Sequence, residues 1–585
     1  MIRKRRYLLL KRATTKPELA DLMNIDPSFL TRVLYVEKTK SHYTEFKIDK
    51  KSGGFRTIFA PSAELKDIQR SLSDLLLDCK DVIQFEKGVK FTLSHGFERE
   101  KSIITNASVH RNKKNVLNLD LEDFFGSINF GRVRGYFISN NNFNLDPHIA
   151  TVIAQIACHN NSLPQGSPCS PVISNLIAQS LDIKLSKIAR KNGCSYTRYA
   201  DDITFSTRKE KFSKSIVKDV ENVKVGSVVL KEIKRSGFSV NDKKTRVLFK
   251  DSRQEATGLV INKKVSVKRE YWRETRAMAH SLFKKDFFEI QEGNSNARKG
   301  TLSELEGRLN FIDSIDHYNN IHEEKKPAHK YELKKHSGLY DYKNKLNSRE
   351  KVYSKFLYYK YFISSEFSTI LTEGKTDNVY LKLALSSMRN LYPKLVEVDK
   401  ETKLYRPLLK FPNLNSKTRY FLDLDGGASH FTRFVQRYVK ECEYYGERKP
   451  KSPVIMILDN DDGPKSLLNH LANHVKSCPN NIDSIRGSKH LRLFKNLYLI
   501  LTPLGEYSKE SMMEDLFEPT LLDTKLDGKA FSRNDKFDSD KYYGKHVFST
   551  KVVAKNKAQV NFDGFKYIFD RILEVNKHYA SLDKV

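Results

Sequence analysis

The chain has 585 residues, 39% of them hydrophobic and 11% aromatic, enough apolar material for several cores and, at ~150 residues each, roughly four domains. No apolar run is long enough to span a bilayer, so the composition argues for a soluble protein with no membrane partner. Lys and Arg total 103 against 71 Asp and Glu, a formal charge of +32, which makes a polyanion the natural partner: nucleic acid first, a charged lipid surface second.

The opening MIRKRRYLLLKR is basic, with only three leucines before the charge resumes, and predicts no export signal. Cysteines 79, 158, 169, 194, 442 and 478 form no C-x-x-C pair, which predicts neither a disulfide framework nor a zinc site and suits a reducing cytoplasm. In KIDKKSGGFRTIF a Gly-Gly turn precedes Arg56, whose planar fork suits a triphosphate; a solvated basic hairpin is the alternative.

NVLNLDLEDFF alternates: Leu117, Leu119 and Leu121 share one strand face, and Asn118, Asp120 and Glu122 the other. Asp120 is expected to project away from the apolar layer. NSLPQGSPCSPVISNLIAQSLD reads as a Pro-Gly turn followed by a helix with amides free in its first turn. In SYTRYADDITFS, strand-forming residues flank an Ala-Asp-Asp step that predicts a hairpin tip bearing Asp201 and Asp202. Asp-Asp alone is a common polar turn. Three carboxylates drawn from two strands can instead hold two divalent cations about 4 Å apart, and such crowding needs the metals.

Further along, the polar stretch QEGNSNARKG (291–300) breaks the pattern, and Leu302, Leu305, Leu309 and Ile312 predict a helix. Residues 321–360 hold 11 Lys or Arg against five acids, with six tyrosines interleaved. They are expected either to bind phosphates and stack on bases or to form a solvated connector. Beyond 365, FSTILTEG, TRYFLDLDGG, SPVIMILDNDD and NLYLILTPLG read as strands alternating with helices, a mostly parallel α/β sheet. Glu373 ends the first of these strands before a glycine turn, with Asp377 in the next helical turn. Asp459, Asp461 and Asp462 end another, so a D-x-D pair is expected to face Glu373.

LDLEDFF followed by YADD resembles the palm of a reverse transcriptase over about residues 45–320. The resemblance implies a right-hand polymerase fold with Asp120, Asp201 and Asp202 as catalytic ligands of paired Mg2+. It implies dNTP contacts by Arg56, by Gln165 and Gly166 of the template-positioning loop, by Phe125 excluding a 2′-hydroxyl, and by Lys244 of SGFSVNDKKTRVLF near the leaving pyrophosphate. NASVH (Asn106 to His110) and TGLVIN (Thr257 and Gly258) resemble signatures of the retron branch, although Ala256 stands where that branch usually has Val. This branch is bacterial; it recognises a structured noncoding RNA, primes from the 2′-hydroxyl of an internal guanosine and yields RNA-linked DNA (msDNA), so Asn106, His110, Thr257 and Gly258 are expected to bind RNA.

Glu-Gly followed by D-x-D resembles a Toprim domain, implying metal ligation by Glu373, Asp459 and Asp461 with Mg2+. YFLDLDGGASHF is expected as a middle strand, with Asp423 and Asp425 as rival ligands. Glu514, Asp515 and Lys551 bring the pattern closer to the overcoming-lysogenization-defect nucleases.

The resulting expectation is a multidomain α+β and α/β protein: fingers and palm at 1–245, thumb at 246–320, a basic aromatic connector at 321–365 and a Toprim effector at 366–585. Its function reads as msDNA synthesis coupled to a nuclease with its own nucleic-acid target, in antiphage defence, with self-association plausible for a restrained effector. The rival readings are a mobile-element enzyme with a DNA-processing Toprim domain and an RNA scaffold with inactive sites.

Overall fold

The computed structural model describes residues 2–50, 53–88, 93–291, 297–323, 346–399, 401–402, 404–413, 415–424, 429–446, 448–505, 509–534 and 536–582. It divides into two compact units, Met1–Tyr271 and Trp272–Val585. No helix among the described residues is long and apolar enough to cross a membrane.

A four-stranded antiparallel sheet organises the first unit, in the order Cys194–Tyr199, Asp202–Thr207, Asn115–Asp120, Arg246–Phe249. Alternation settles which face is which: Leu117, Leu119 and Leu121 are buried in the core, while Asn118 and Asp120 take the other face. Behind the sheet lie helices Pro147–Ala157, begun by an Asp146 cap and a proline, and Ser170–Lys191. The fingers hairpin pairs Tyr43–Asp49 with Phe55–Pro61 through Gly53 and Gly54, whose φ values of +86° and +78° are open to glycine. A second hairpin, Glu255–Ala256 with Leu259–Val260, turns at Thr257 and Gly258, both at positive φ.

The strand Arg246–Phe249 belongs to this sheet, so the sheet and its compact unit continue past residue 245. Its pairing with Asn115–Asn118 outweighs the change in local sequence pattern at that point.

In the second unit, helix Leu302–Glu323 forms where the leucine spacing predicts, and Leu305 and Leu309 enter a core with Tyr353, Phe356 and Phe434. Helix Ser348–Tyr358 starts at an Asn347–Glu350 capping box. The aromatics of this helix and of the turn after it correct the stacking expectation for the connector: Tyr353, Tyr358 and Tyr359 are buried, because they fill the core shared with Leu305 and Leu309. Residues 324–345, the rest of that segment's basic-aromatic stretch, lie outside the described residues.

A five-stranded sheet runs Leu409–Lys410, Ser368–Thr372, Val454–Leu458, Leu497–Leu501, Leu491–Phe494, parallel except for the last strand. Its strands alternate between two cores: Leu371, Met456, Leu458 and Leu499 face one, and Ile370, Ile455, Ile457 and Ile500 the other. This two-sided burial explains why the strands read as unbroken apolar runs.

The described part of TRYFLDLDGG, TRYFLDL (418–424), is not a strand. Residues Ser416–Leu422 are a helix capped by Asn415, and Thr418, Phe421 and Leu422 at helical spacing form its buried stripe. Asp423 ends it in a left-handed conformation and is held by Arg437 and Arg433; Asp425 lies outside the described residues.

Candidate active sites

The Asp-Asp hairpin of the first unit turns through Ala200 and Asp201, with Tyr199 paired to Asp202. Ala200 sits at φ 55°, a costly conformation for a residue with a Cβ. Asp202 is paired with Asp120 on the neighbouring strand, and the Leu121 amide donates to the Asp201 carbonyl at 3.0 Å. Asp120, Asp201 and Asp202 thus lie together at one end of the two central strands.

Their closeness raises the proton affinity of both hairpin carboxylates. Desolvation by the packed cleft wall, then Asp201 and Asp120, push Asp202 up to about 7, although one side of it meets solvent. Burial and Asp120 also raise Asp201, against Lys244 and Arg56. Crowded oxygen donors of this kind fit hard divalent cations, which remove the repulsion. Lys244 supplies positive charge to Asp120 through an ion pair. The cleft, about 650 Å³, is lined by Asp120, Asp202, Lys244, Arg246, Thr257 and Gly258 among others.

Of the other expected contacts, Arg56 is exposed on the fingers hairpin opposite Ile48. The Gln165 carbonyl accepts the Phe59 amide at 2.9 Å, docking the Pro-Gln-Gly loop on that hairpin. Gly166 follows at φ +124°, where a Cβ would lie 2.5 Å from the Phe59 carbonyl oxygen. Phe125 is half-buried, its ring 5.4 Å from Phe124 and 6.3 Å from Phe97.

The two signature segments meet. Asn106 Nδ2 reaches Thr257 Oγ1 at 3.5 Å, and Thr257 Oγ1 donates to the Ile103 carbonyl at 3.3 Å. Asn106 and His110 are 1% and 0% exposed, which corrects the expectation that their side chains bind RNA. His110 bridges Ser206 and Thr197, both at 2.7 Å, on the two strands of the catalytic hairpin, and burial holds its pKa down to about 3. Thr257 and Gly258 do line the cleft.

The profile of the reverse transcriptase (RNA-dependent DNA polymerase) family matches residues 48–270, which hold the whole palm sheet. The retron Ec86 reverse transcriptase of Escherichia coli is 35% identical over 277 residues, 47% of this chain and 77% of that protein. The chain belongs to the retron reverse transcriptase family. Two relatives from Myxococcus xanthus extend the likeness: retron Mx65 reverse transcriptase at 31% identity (47% of this chain, 62% of that protein) and retron Mx162 reverse transcriptase at 33% (48% and 59%).

Beyond the family match, this retron reverse transcriptase carries a second carboxylate cluster at the ends of adjacent parallel strands. Glu373 follows Ser368–Thr372, Asp459 follows Val454–Leu458, and the Asp459 amide donates to Glu373 Oε1 at 3.3 Å. Burial, then Asp461 and Asp377, raise Glu373 to about 7; burial, then Asp377 and Glu373, raise Asp459 to about 8. The same fit to divalent cations applies. Asp377 caps the following helix through the Gly374 amide at 2.8 Å, and Asp461 caps Gly463 at 2.8 Å.

Glu514, fully buried, faces this cluster and pairs with Lys545 at 3.0 Å. Asp515 pairs instead with Arg533, and Lys551 is exposed on the helical turns after Lys545. Lys545 therefore takes the place expected for Lys551. No local signal distinguishes it from its neighbours, because the pairing arises from folding rather than from spacing.

Proposed function

We propose that the first unit copies a cognate structured noncoding RNA into RNA-linked single-stranded DNA, and that the second is a Toprim nuclease acting in antiphage defence. The observation that carries the polymerase half is the pairing of Asp120 with Asp202, with Asp201 in the same turn. Asp120, Asp201 and Asp202 would hold Mg2+, which supplies charge compensation for an attacking hydroxyl and a departing pyrophosphate. Lys244 holds positive charge against Asp120 at the cleft, Arg56 offers a fork to a triphosphate, and the Gly166 turn sets the loop that meets the template.

For the nuclease half, the support is the Glu373–Asp459 contact at parallel strand ends, a usual place for α/β active sites. Glu373, Asp459 and Asp461 would hold the divalent cations, Glu514 orients Lys545, and Lys545 offers a cation to a phosphodiester. The charge of +32 suits a stably held polyanion in a bacterial cytoplasm.

Asp201→Asn with Asp202→Asn should abolish cDNA synthesis in a folded protein, and sequencing nucleic acid retained on the wild type should return one RNA joined to DNA. Glu373→Gln should spare that synthesis and abolish nucleolysis and any toxicity. Unchanged cDNA from the double variant would sink the polymerase assignment; unchanged nucleolysis would sink the second.

A further inference from the structure

Arg198, on the first strand of the Asp-Asp hairpin, is among the largest fully buried side chains of the described residues. Its Nε and Nη2 donate to the two carboxylate oxygens of Asp182, each at 2.8 Å. Tyr196 donates to the same carboxylate at 2.7 Å. The third guanidinium nitrogen, Nη1, donates to the carbonyl of Ala200 at 2.9 Å, and Phe124 lies against the guanidinium, its ring centre 5.6 Å away.

Burying a guanidinium completely is costly unless every charge is matched, and replacing such a pair with apolar groups often leaves stability intact. Stability is therefore a poor reason for this arrangement, and geometry is a better one. Ala200 adopts φ 55°, where its Cβ opposes the conformation, so the turn needs an external restraint. The Ala200 carbonyl belongs to the peptide that enters Asp201, and Arg198 fixes it. The Asp201 carbonyl belongs to the peptide that leaves Asp201, and the Leu121 amide fixes that one at 3.0 Å. With both peptide planes held, the backbone torsions of Asp201 are set, and with them the direction of the Cα–Cβ bond from which its carboxylate projects.

The loop before this unit's first palm strand closes the remaining side. Gly96 approaches so near that a Cβ there would lie 2.6 Å from the Ala200 nitrogen. The His95 amide donates to the Arg198 carbonyl at 2.7 Å.

We propose that Arg198 is a positioning residue for DNA synthesis: anchored by Asp182, it holds the Ala200–Asp201 peptide and thereby aims the Asp201 carboxylate at the reacting end. This rests on the polymerase reading and deepens it. Asp182 lies in the helix that follows the Pro-Gln-Gly loop, and Phe124 follows the first catalytic strand, so one guanidinium joins three motifs far apart in sequence.

The test uses the full chain on an RNA template with an annealed DNA primer. Arg198→Lys keeps the charge and loses the fork. Its kcat should fall by ~10-fold to ~100-fold, the Mg2+ concentration for half-maximal rate should rise severalfold, and KM for dNTP should stay at the wild-type value. A change in packing alone would lower Tm and the folded fraction without moving the Mg2+ dependence of the folded molecules. Should Arg198→Lys fail to fold, the double variant Arg198→Met with Asp182→Leu replaces the pair by apolar groups and is read in the same way. Wild-type kcat and Mg2+ dependence in whichever variant folds overturns the proposal. A wild-type chain inactive on this template overturns the polymerase reading instead.

Discussion

Lys244 Nζ lies 3.0 and 2.9 Å from the two carboxylate oxygens of Asp120, bridging the short helical turn after the palm helices to the first catalytic strand. An ammonium in this position can steady the carboxylates and serve as an acid to a leaving group. Lys244→Met should lower the rate of primer extension by ~100-fold at saturating dNTP, the lower end of general-acid effects. Single-turnover extension at neutral pH measures this, and an unchanged rate would reduce Lys244 to a surface cation.

The second cluster should make the metal-free protein less stable as pH rises. Glu373 and Asp459 bind protons more tightly when folded, at about 7 and about 8, than as free carboxyls, at 4.5 and 3.8. The folded state then holds more protons than the unfolded one between those limits, so stability is greatest below about pH 4 for these groups and declines through about pH 8. Thermal melts in chelator should show the second unit's transition falling over this window. Mg2+ or Mn2+ should restore it at high pH, and Asp459→Asn should flatten the slope.

Gly166→Ala should separate the template loop from the fingers hairpin. The residue has φ +124°, and its new Cβ would meet the Phe59 carbonyl oxygen at 2.5 Å. A stability loss of ~1–3 kcal/mol is expected, with a rise in KM for template-primer. A variant with both quantities unchanged would show that the loop does not need this contact.

His110→Ala should act on folding rather than on RNA. Both ring nitrogens are bonded inside the palm, and the ring stays neutral above about pH 3. Loss of the bonds and the cavity left behind should cost ~2–4 kcal/mol. Filter binding corrected for the folded fraction should give unchanged RNA affinity; a weakened affinity in fully folded protein would return His110 to the RNA-contact role.

Much of the polymerase site is legible in the chain because its order is local. Alternation in NVLNLDLEDFF places Asp120, and strand formers around Ala-Asp-Asp place the turn. Gly53 and Gly54 mark the fingers hairpin because no other residue accepts both torsions readily. The strand-end residues Glu373 and Asp459 are legible for a similar reason: an apolar run buried on both faces ends where the chain turns.

Short-range pattern misleads wherever a distant partner decides. Aromatics mixed with lysines read as a nucleic-acid surface, yet Tyr353 and Tyr358 complete a core. TRYFLDLDGG has strand-like composition, yet the Asn415 cap and the buried stripe favour a helix, and Arg437 takes its aspartate.

The sequence by itself determined the palm aspartates, the parallel sheet and the carboxylates at its strand ends, because periodicity and turn chemistry act over a few residues. Only the tertiary structure decided that Lys545 answers Glu514, that Asn106 and His110 are internal struts, and that Arg198 spans from Asp182 to Ala200. Those pairings depend on how whole elements pack, and a buried charge or polar ring finds its partner in space rather than along the chain.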